Sequence, residues 1–268
     1  MRGNDIYLLV AVGMLFLGMV AVAPVLFYIR YRRRLERERL SLHEAGLRHQ
    51  KELLYSVIRS QEEERARIGR DLHDEVGTAL SRLRMTIGRF TRASGNDPAL
   101  TDFARGSNTS VDTIINSVRH ISQNLSPDSL RLYGFTGAVE DLADSIAGTG
   151  LLRVCVHNEA ADACARLGHE TALALYRVLQ ELLANTVKHA DAQEAALFFR
   201  MDNSTLVIEY TDDGRGITGT GHPKKGGMGL QNIESRLGMI GAAYSIRTAA
   251  GQGFTIRITA PLPADGGQ

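Results

Sequence analysis

The chain has almost no excess charge: 31 basic and 30 acidic residues leave a formal net charge of +1. It therefore lacks the global basic field that marks nucleic-acid binders, and nucleic acid is not an expected partner. Cysteine is nearly absent as well. Cys155 and Cys164 are the only two, with no CxxC spacing. That pattern fits a reducing compartment and two small core residues rather than a disulfide framework or a zinc site. A length of 268 residues excludes a large multi-domain enzyme. It leaves room for a membrane segment, one helical module and one medium-sized globular domain.

Charge is also missing locally. Nothing from Ile6 to Ile29 is ionisable except Tyr7 and Tyr28, and about 24 helical residues rise roughly 36 Å, enough to cross a bilayer with some tilt. The run is too long for the apolar core of a signal peptide. Arg30, Arg32, Arg33 and Arg34 follow it, against Arg2 and the α-amino group on the other side. This asymmetry predicts a single-pass anchor (1–30) in the inner, cytoplasmic membrane with everything after residue 30 in the cytoplasm. Only about five residues precede the span, too little surface for a ligand pocket, so the stimulus is expected through a membrane sensor partner or the bilayer.

Proline is absent from residues 35–66, where Leu40, Leu47 and Leu54 repeat every seven residues. A juxtamembrane helix over 31–61 follows, either a short coiled coil or a single solvated helix, because the companion positions His43 and Gln50 are polar. Ile68, Leu72, Val76, Leu80, Leu83, Ile87 and Phe90 then share one helical face up to the break at Ser94–Pro98. A second amphipathic helix carries Leu100, Phe103, Val111, Ile114, Ile115, Val118, Ile121 and Leu125 and stops before Pro127. One hairpin (62–126) cannot bury both stripes, so it is expected to dimerise into a four-helix bundle. After a linker (127–134), residues 135–262 alternate helix with strand and predict helices over one face of a mixed sheet, followed by a tail (263–268).

Three clusters carry chemistry. His73 lies roughly 80° to the side of the first stripe, at the edge of the bundle core, with Asp74 beside it to accept a proton from one ring nitrogen. On the helix predicted over His169–His189, Glu181, Asn185 and Lys188 share a polar face opposite Leu175, Leu179, Leu182, Leu183, Thr186 and Ala190. Asn185 offers a hard amide oxygen suited to Mg²⁺. Asp212-Asp213-Gly214-Arg215-Gly216 then follows a strand, and Gly226-Gly227-Met228-Gly229-Leu230 opens a helix whose N-terminus suits phosphate.

The string Arg70 to Gly77 resembles the phosphoacceptor box of two-component sensor histidine kinases of the nitrate and nitrite sensor subfamily. Glu181 to Ala190, the Asp212 and Gly227 motifs, and Gly251 to Ile256 resemble the boxes of the GHKL (Bergerat) ATPases, and stand in family order. The resemblance implies a homodimeric, ATP-dependent protein histidine kinase. His73 would be the phosphoacceptor and Asp74 its base. ATP would be held by Glu181, Asn185, Lys188, His189, Asp212, Gly214, Gly216, Gly227, Gly229, Leu230 and Thr255, with Mg²⁺ on Asn185. Asp212 would accept the adenine amino group. Glu181 would either hold a water on the metal or orient a proton acceptor. The partner would be a response regulator with a receiver domain. Thr78 replaces the glutamine or histidine used for phosphatase activity in the subfamily. Two alternatives stand beside this reading: a nucleotide-driven clamp of the gyrase or chaperone type, and a nucleotide-binding membrane scaffold without phosphotransfer.

Overall fold

The computed structural model describes residues 3–93, 97–216 and 228–262, with the side chains of 3–9, 20–26, 29, 40, 93 and 228 left undescribed. Two compact units divide between Val57 and Ile58. The first, residues 1–57, holds the greater part of helix α1 (Gly3–Asp71). Among the described residues no helix is long and apolar enough to cross a membrane. The expected helix over Ile6–Ile29 is found, but several of its side chains lie outside the described residues, and its membrane role rests on the sequence.

In the second unit, a π-helical turn at Leu72–Val76 joins α1 to α2 (Gly77–Ala93), and α3 (Pro98–Leu125) returns against them. Asp97 begins α3 in extended conformation and accepts from the Ala99 N–H, with Pro98 in the first turn, where its missing N–H costs nothing. Helix α3 ends at Ser126, before Pro127. The segment read as a linker contains a short helix, α4 (Asp128–Leu132). Its Leu130 is buried in the core of the domain that follows.

That domain has the expected two layers. Helix α5 (Gly134–Ala147), strand β1 (Arg153–Asn158), the short α6 (Ala161–Ala165) and α7 (His169–Asn185) lead to the hairpin β2 (Glu194–Asp202) and β3 (Thr205–Asp212). Helix α8 (Met228–Met239) and the hairpin β4 (Ala243–Thr248) and β5 (Phe254–Pro261) close it. The sheet order is β1-β2-β3-β5-β4. Only β1 and β2 run parallel, because helices separate them, while the other neighbours are antiparallel. Leu197, Leu206, Ile208, Ile256 and Ile258 project from the sheet onto Leu175, Leu179 and Leu183 of α7 and Ile233 and Leu237 of α8, all fully buried. At about 25 cal/mol per Å² of apolar area, each such side chain contributes roughly 1.5–3 kcal/mol. This core fixes α7 and α8 side by side above the end of β3.

Candidate nucleotide and phosphoacceptor sites

A cavity of about 530 Å³ opens where α7, α8 and the ends of β3 and β5 meet. Its walls include eight of the residues expected from sequence: Glu181, Asn185, Lys188, His189, Asp212, Gly216, Gly229 and Leu230. Helix α7 leaves α-helical geometry after Asn185. A π-helical turn covers Thr186–Ala190, and Asp191 stops it in the left-handed region at φ 54°. Such turns recur at functional sites, and here the widened turn carries Lys188 and His189 at the cavity wall.

Asp212 ends β3 and is only 7% exposed. Its Oδ1 accepts from the Gly214 and Phe254 N–H groups at 3.0 and 3.2 Å. Its Oδ2 accepts from the Thr186 hydroxyl at 2.9 Å. Burial pushes the Tyr210 phenol well above its ordinary value, so it stays protonated and donates to Thr186 Oγ1. A carboxylate offers about four lone-pair positions. Protein donors fill at least three of them, and the carboxylate lines the cavity. Tyr210 and the hydroxyl of Thr186 support the Asp212 carboxylate; the sequence pattern assigned Thr186 only to the buried stripe and marked no role for Tyr210.

The glycines explain the close backbone approaches. A Cβ on Gly214 would lie 2.6 Å from the Ala190 carbonyl oxygen, and one on Gly253 would lie 2.0 Å from the Asp212 carbonyl oxygen. Gly253 also sits at φ 75°, a conformation disfavoured for side-chain-bearing residues. Gly214 therefore acts through its backbone and does not line the cavity. Gly227 lies outside the described residues. Thr255 is a correction. Phe254, Ile256 and Ile258 face the helices, so strand alternation turns Thr255 to the opposite face. Its hydroxyl meets that of Thr211 at 3.1 Å, and Phe254 reaches the cavity in its place.

The site fits a nucleotide with Mg²⁺. Asn185 donates its amide N–H to Glu181 Oε1 at 3.2 Å, which orients its Oδ1 as an oxygen ligand. A Cβ on Gly229 would come within 2.5 Å of Glu181 Oε1, so this glycine keeps the space open. Among the described residues no group of three or more His, Cys, Asp or Glu side chains could hold a metal. One amide oxygen with one carboxylate suits an ion held mainly by waters and substrate phosphates.

His73 and Asp74 lie elsewhere. Both are exposed in the π-helical turn Leu72–Val76 and line a second cleft of about 500 Å³, shared with Arg70, Arg131, His169, Leu173 and Arg177. The structure thus brings the nucleotide residues together and keeps the candidate acceptor apart from them.

Residues 64–130 match the histidine kinase family, and residues 170–264 match the histidine kinase-, DNA gyrase B- and HSP90-like ATPase family. The chain is 34% identical over 192 residues to the sensor histidine kinase MctS of Rhizobium johnstonii, covering 70% of this chain and 41% of that protein. Among solved structures, the histidine kinase domain of the Erythrobacter litoralis EL346 blue-light activated histidine kinase gives 18% identity, a TM-score of 0.45 and coverage of 70% of this chain and 94% of that one. The Acinetobacter baumannii histidine kinase AdeS gives 15% identity, a TM-score of 0.39 and coverage of 68% and 96%.

Proposed function

Because the chain belongs to the two-component histidine kinases of the nitrate and nitrite sensor subfamily, we propose that it transfers the γ-phosphoryl group of ATP to His73 and then to an aspartate of a response regulator. The single observation that carries this reading is the cavity around Asp212. It gathers eight expected nucleotide residues from sequence stretches as far apart as Glu181 and Leu230.

In the first step a ring nitrogen of His73 attacks the γ-phosphorus and the bond from that phosphorus to the β,γ-bridging oxygen breaks. ADP leaves, and Asp74 takes the proton from the other ring nitrogen. Asp212, which lines the cavity, accepts from the adenine amino group. Lys188 and His189 hold phosphate oxygens, and the α8 N-terminus, with Gly229 and Leu230, presents backbone N–H groups to them. Asn185 would hold Mg²⁺, whose charge would offset that of the phosphates. Transfer onward moves the phosphoryl group from nitrogen to a receiver carboxylate and frees His73 for the next cycle.

The working unit is a homodimer. Leu83, Phe90, Ile114 and Ile121 are exposed along the hairpin, leaving an apolar face that a second hairpin would cover. The membrane anchor belongs to the same reading. It is supported by the uncharged run Ile6–Ile29, its basic flank and the exposure of Leu15, Phe16 and Leu17. On this reading the kinase would face the cytoplasm, and the stimulus would arrive through a membrane sensor partner or the bilayer.

The test incubates the chain with γ-labelled ATP and Mg²⁺. The expected label is acid-labile and alkali-stable, and His73→Gln abolishes it while leaving ATP binding intact. Acid-stable label, or unchanged label in His73→Gln, would overturn the assignment. Nucleotide binding with no label at all would favour the scaffold alternative.

A further inference from the structure

Residues 30–39 of α1 hold six arginines, two glutamates and no lysine, and every side chain among them is exposed. At 3.6 residues per turn, Arg30, Arg33, Arg34 and Arg37 fall within roughly 100° of one another on one side of the helix. Glu36 falls outside that sector. Glu38 stands at its edge and pairs with Arg34 at 3.1 Å. Among the described residues no ion pair holds Arg30, Arg33 or Arg37.

The neighbouring side of the same helix is aromatic. Phe27 and Tyr31 stack with ring centroids 6.2 Å apart. Arg32 donates from Nε to the Tyr28 hydroxyl at 3.2 Å, and its guanidinium lies 5.8 Å from the centre of that ring. Rings with one polar end are enriched at the headgroup level of a bilayer.

The excess of positive charge is confined in length. Ten helical residues rise about 15 Å. The headgroup layer of one leaflet is about 5–8 Å thick, and the Debye length at physiological salt is about 8 Å. Beyond that distance the charge balances: over residues 40–57, Arg48 and Lys51 are matched by Glu44 and Glu52, and Arg48 pairs with Glu44 at 3.8 Å. A helix face charged only for solubility has no reason to lose its excess after one and a half turns of arginine. A topology signal needs only a number of basic residues and asks nothing of their side. Arginines gathered on one side offer more, since each guanidinium fork matches two oxygens of a phosphodiester.

We propose that Arg30, Arg33, Arg34 and Arg37 form a docking surface for anionic phospholipid headgroups. The inference rests on the membrane-anchor reading above. The arginine row fixes the depth at which α1 leaves the bilayer and the side on which it meets the lipid surface, with Phe27, Tyr28 and Tyr31 at headgroup level.

The test uses the full chain in a neutral detergent, titrated with phosphatidylglycerol or phosphatidylcholine in mixed micelles, with bound lipid counted by native mass spectrometry. The parent is compared with Arg33→Gln and with a triple variant carrying Arg30→Gln, Arg33→Gln and Arg37→Gln. Each basic side chain at an anionic surface strengthens binding by about fivefold, so the single variant should lose about fivefold in affinity for phosphatidylglycerol and the triple variant about a hundredfold. Phosphatidylcholine carries no net charge and should bind parent and variants alike, and weakly. Thermal melts should coincide, because the altered side chains are exposed; the single variant carries the test if the triple variant fails to fold. Undiminished affinity of the variants for phosphatidylglycerol, or equal affinity of the parent for the two lipids, would overturn the surface. So would binding of a short DNA duplex as tight as that of phosphatidylglycerol, which would make the row a nucleic-acid site. The anchor is tested separately: extraction of the parent from native membranes by alkaline carbonate would count against the span, while the micelle titration would still report whether the arginine row takes the headgroup.

Discussion

Ser122, buried on α3, donates its hydroxyl hydrogen to the backbone carbonyl of Gly69 on α1 across 2.7 Å. Gly69 stands four residues before His73, so in α-helical register its carbonyl is the one that receives the His73 N–H. The helices meet closely here, since a Cβ on Gly69 would lie 2.8 Å from Ser126 Cβ and 3.2 Å from the Ser122 carbonyl oxygen. The turn that follows, Leu72–Val76, is π-helical.

Two opposing effects make Gly69→Ala informative. Alanine favours an isolated helix by about 1 kcal/mol over glycine, whereas overpacking costs about 1–3 kcal/mol. A peptide spanning the end of α1 should gain helicity while the full chain loses stability, by circular dichroism of each. Ser122→Ala should cost about 1 kcal/mol. A full chain stabilised by Gly69→Ala would refute the close contact.

Asn185→Ala should abolish the Mg²⁺ dependence of ATP binding, because the metal loses its protein amide oxygen. Titration of a fluorescent ATP analogue with and without Mg²⁺ reads this directly. An unaltered Mg²⁺ response would remove Asn185 from the metal site.

Gly253→Ala should be among the most damaging single substitutions in the nucleotide domain. It combines a positive φ with a 2.0 Å approach to the Asp212 carbonyl oxygen, for a cost of about 3 kcal/mol or more. Thermal melts and ATP binding should fall together. Thr255→Val, on the opposite face of the same strand, should leave ATP affinity within about twofold, a surface-like effect.

The two cysteines should differ in reactivity. Burial raises the Cys164 thiol above its ordinary value, which holds it in the unreactive thiol form, while Cys155 is only half-buried. Under mild alkylation of the native chain at neutral pH, mass spectrometry should find Cys155 modified first and Cys164 only after unfolding.

Much of this architecture was legible because it is periodic. The stripes Ile68–Phe90 and Leu100–Leu125 became helices, since burial of one face dictates such a period. Thr255 was misplaced because a motif identifies a strand more securely than it identifies which alternate residue faces the ligand. The short helices α4 and α6 carry too few residues for a period. The π-helical turns leave no mark in composition. The Glu62–Arg177 pair, separated by 115 residues, exists only once the chain has folded, so no local spacing announces it. Tyr210 went unmarked because its hydroxyl finds its partner, Thr186, on another element.

The hydrogen-bond chain from Tyr210 through Thr186 to Asp212 bears on which purine is admitted. With three donors already bound to its carboxylate, Asp212 can offer a base only an acceptor. An exocyclic amino group at C6 satisfies it. A C6 oxo group would set lone pair against lone pair in a buried place, where an unmet polar contact costs about 1–3 kcal/mol or more. If Asp212 meets the base as proposed, adenine would be selected over guanine largely by exclusion, through donors that the protein itself supplies to the carboxylate.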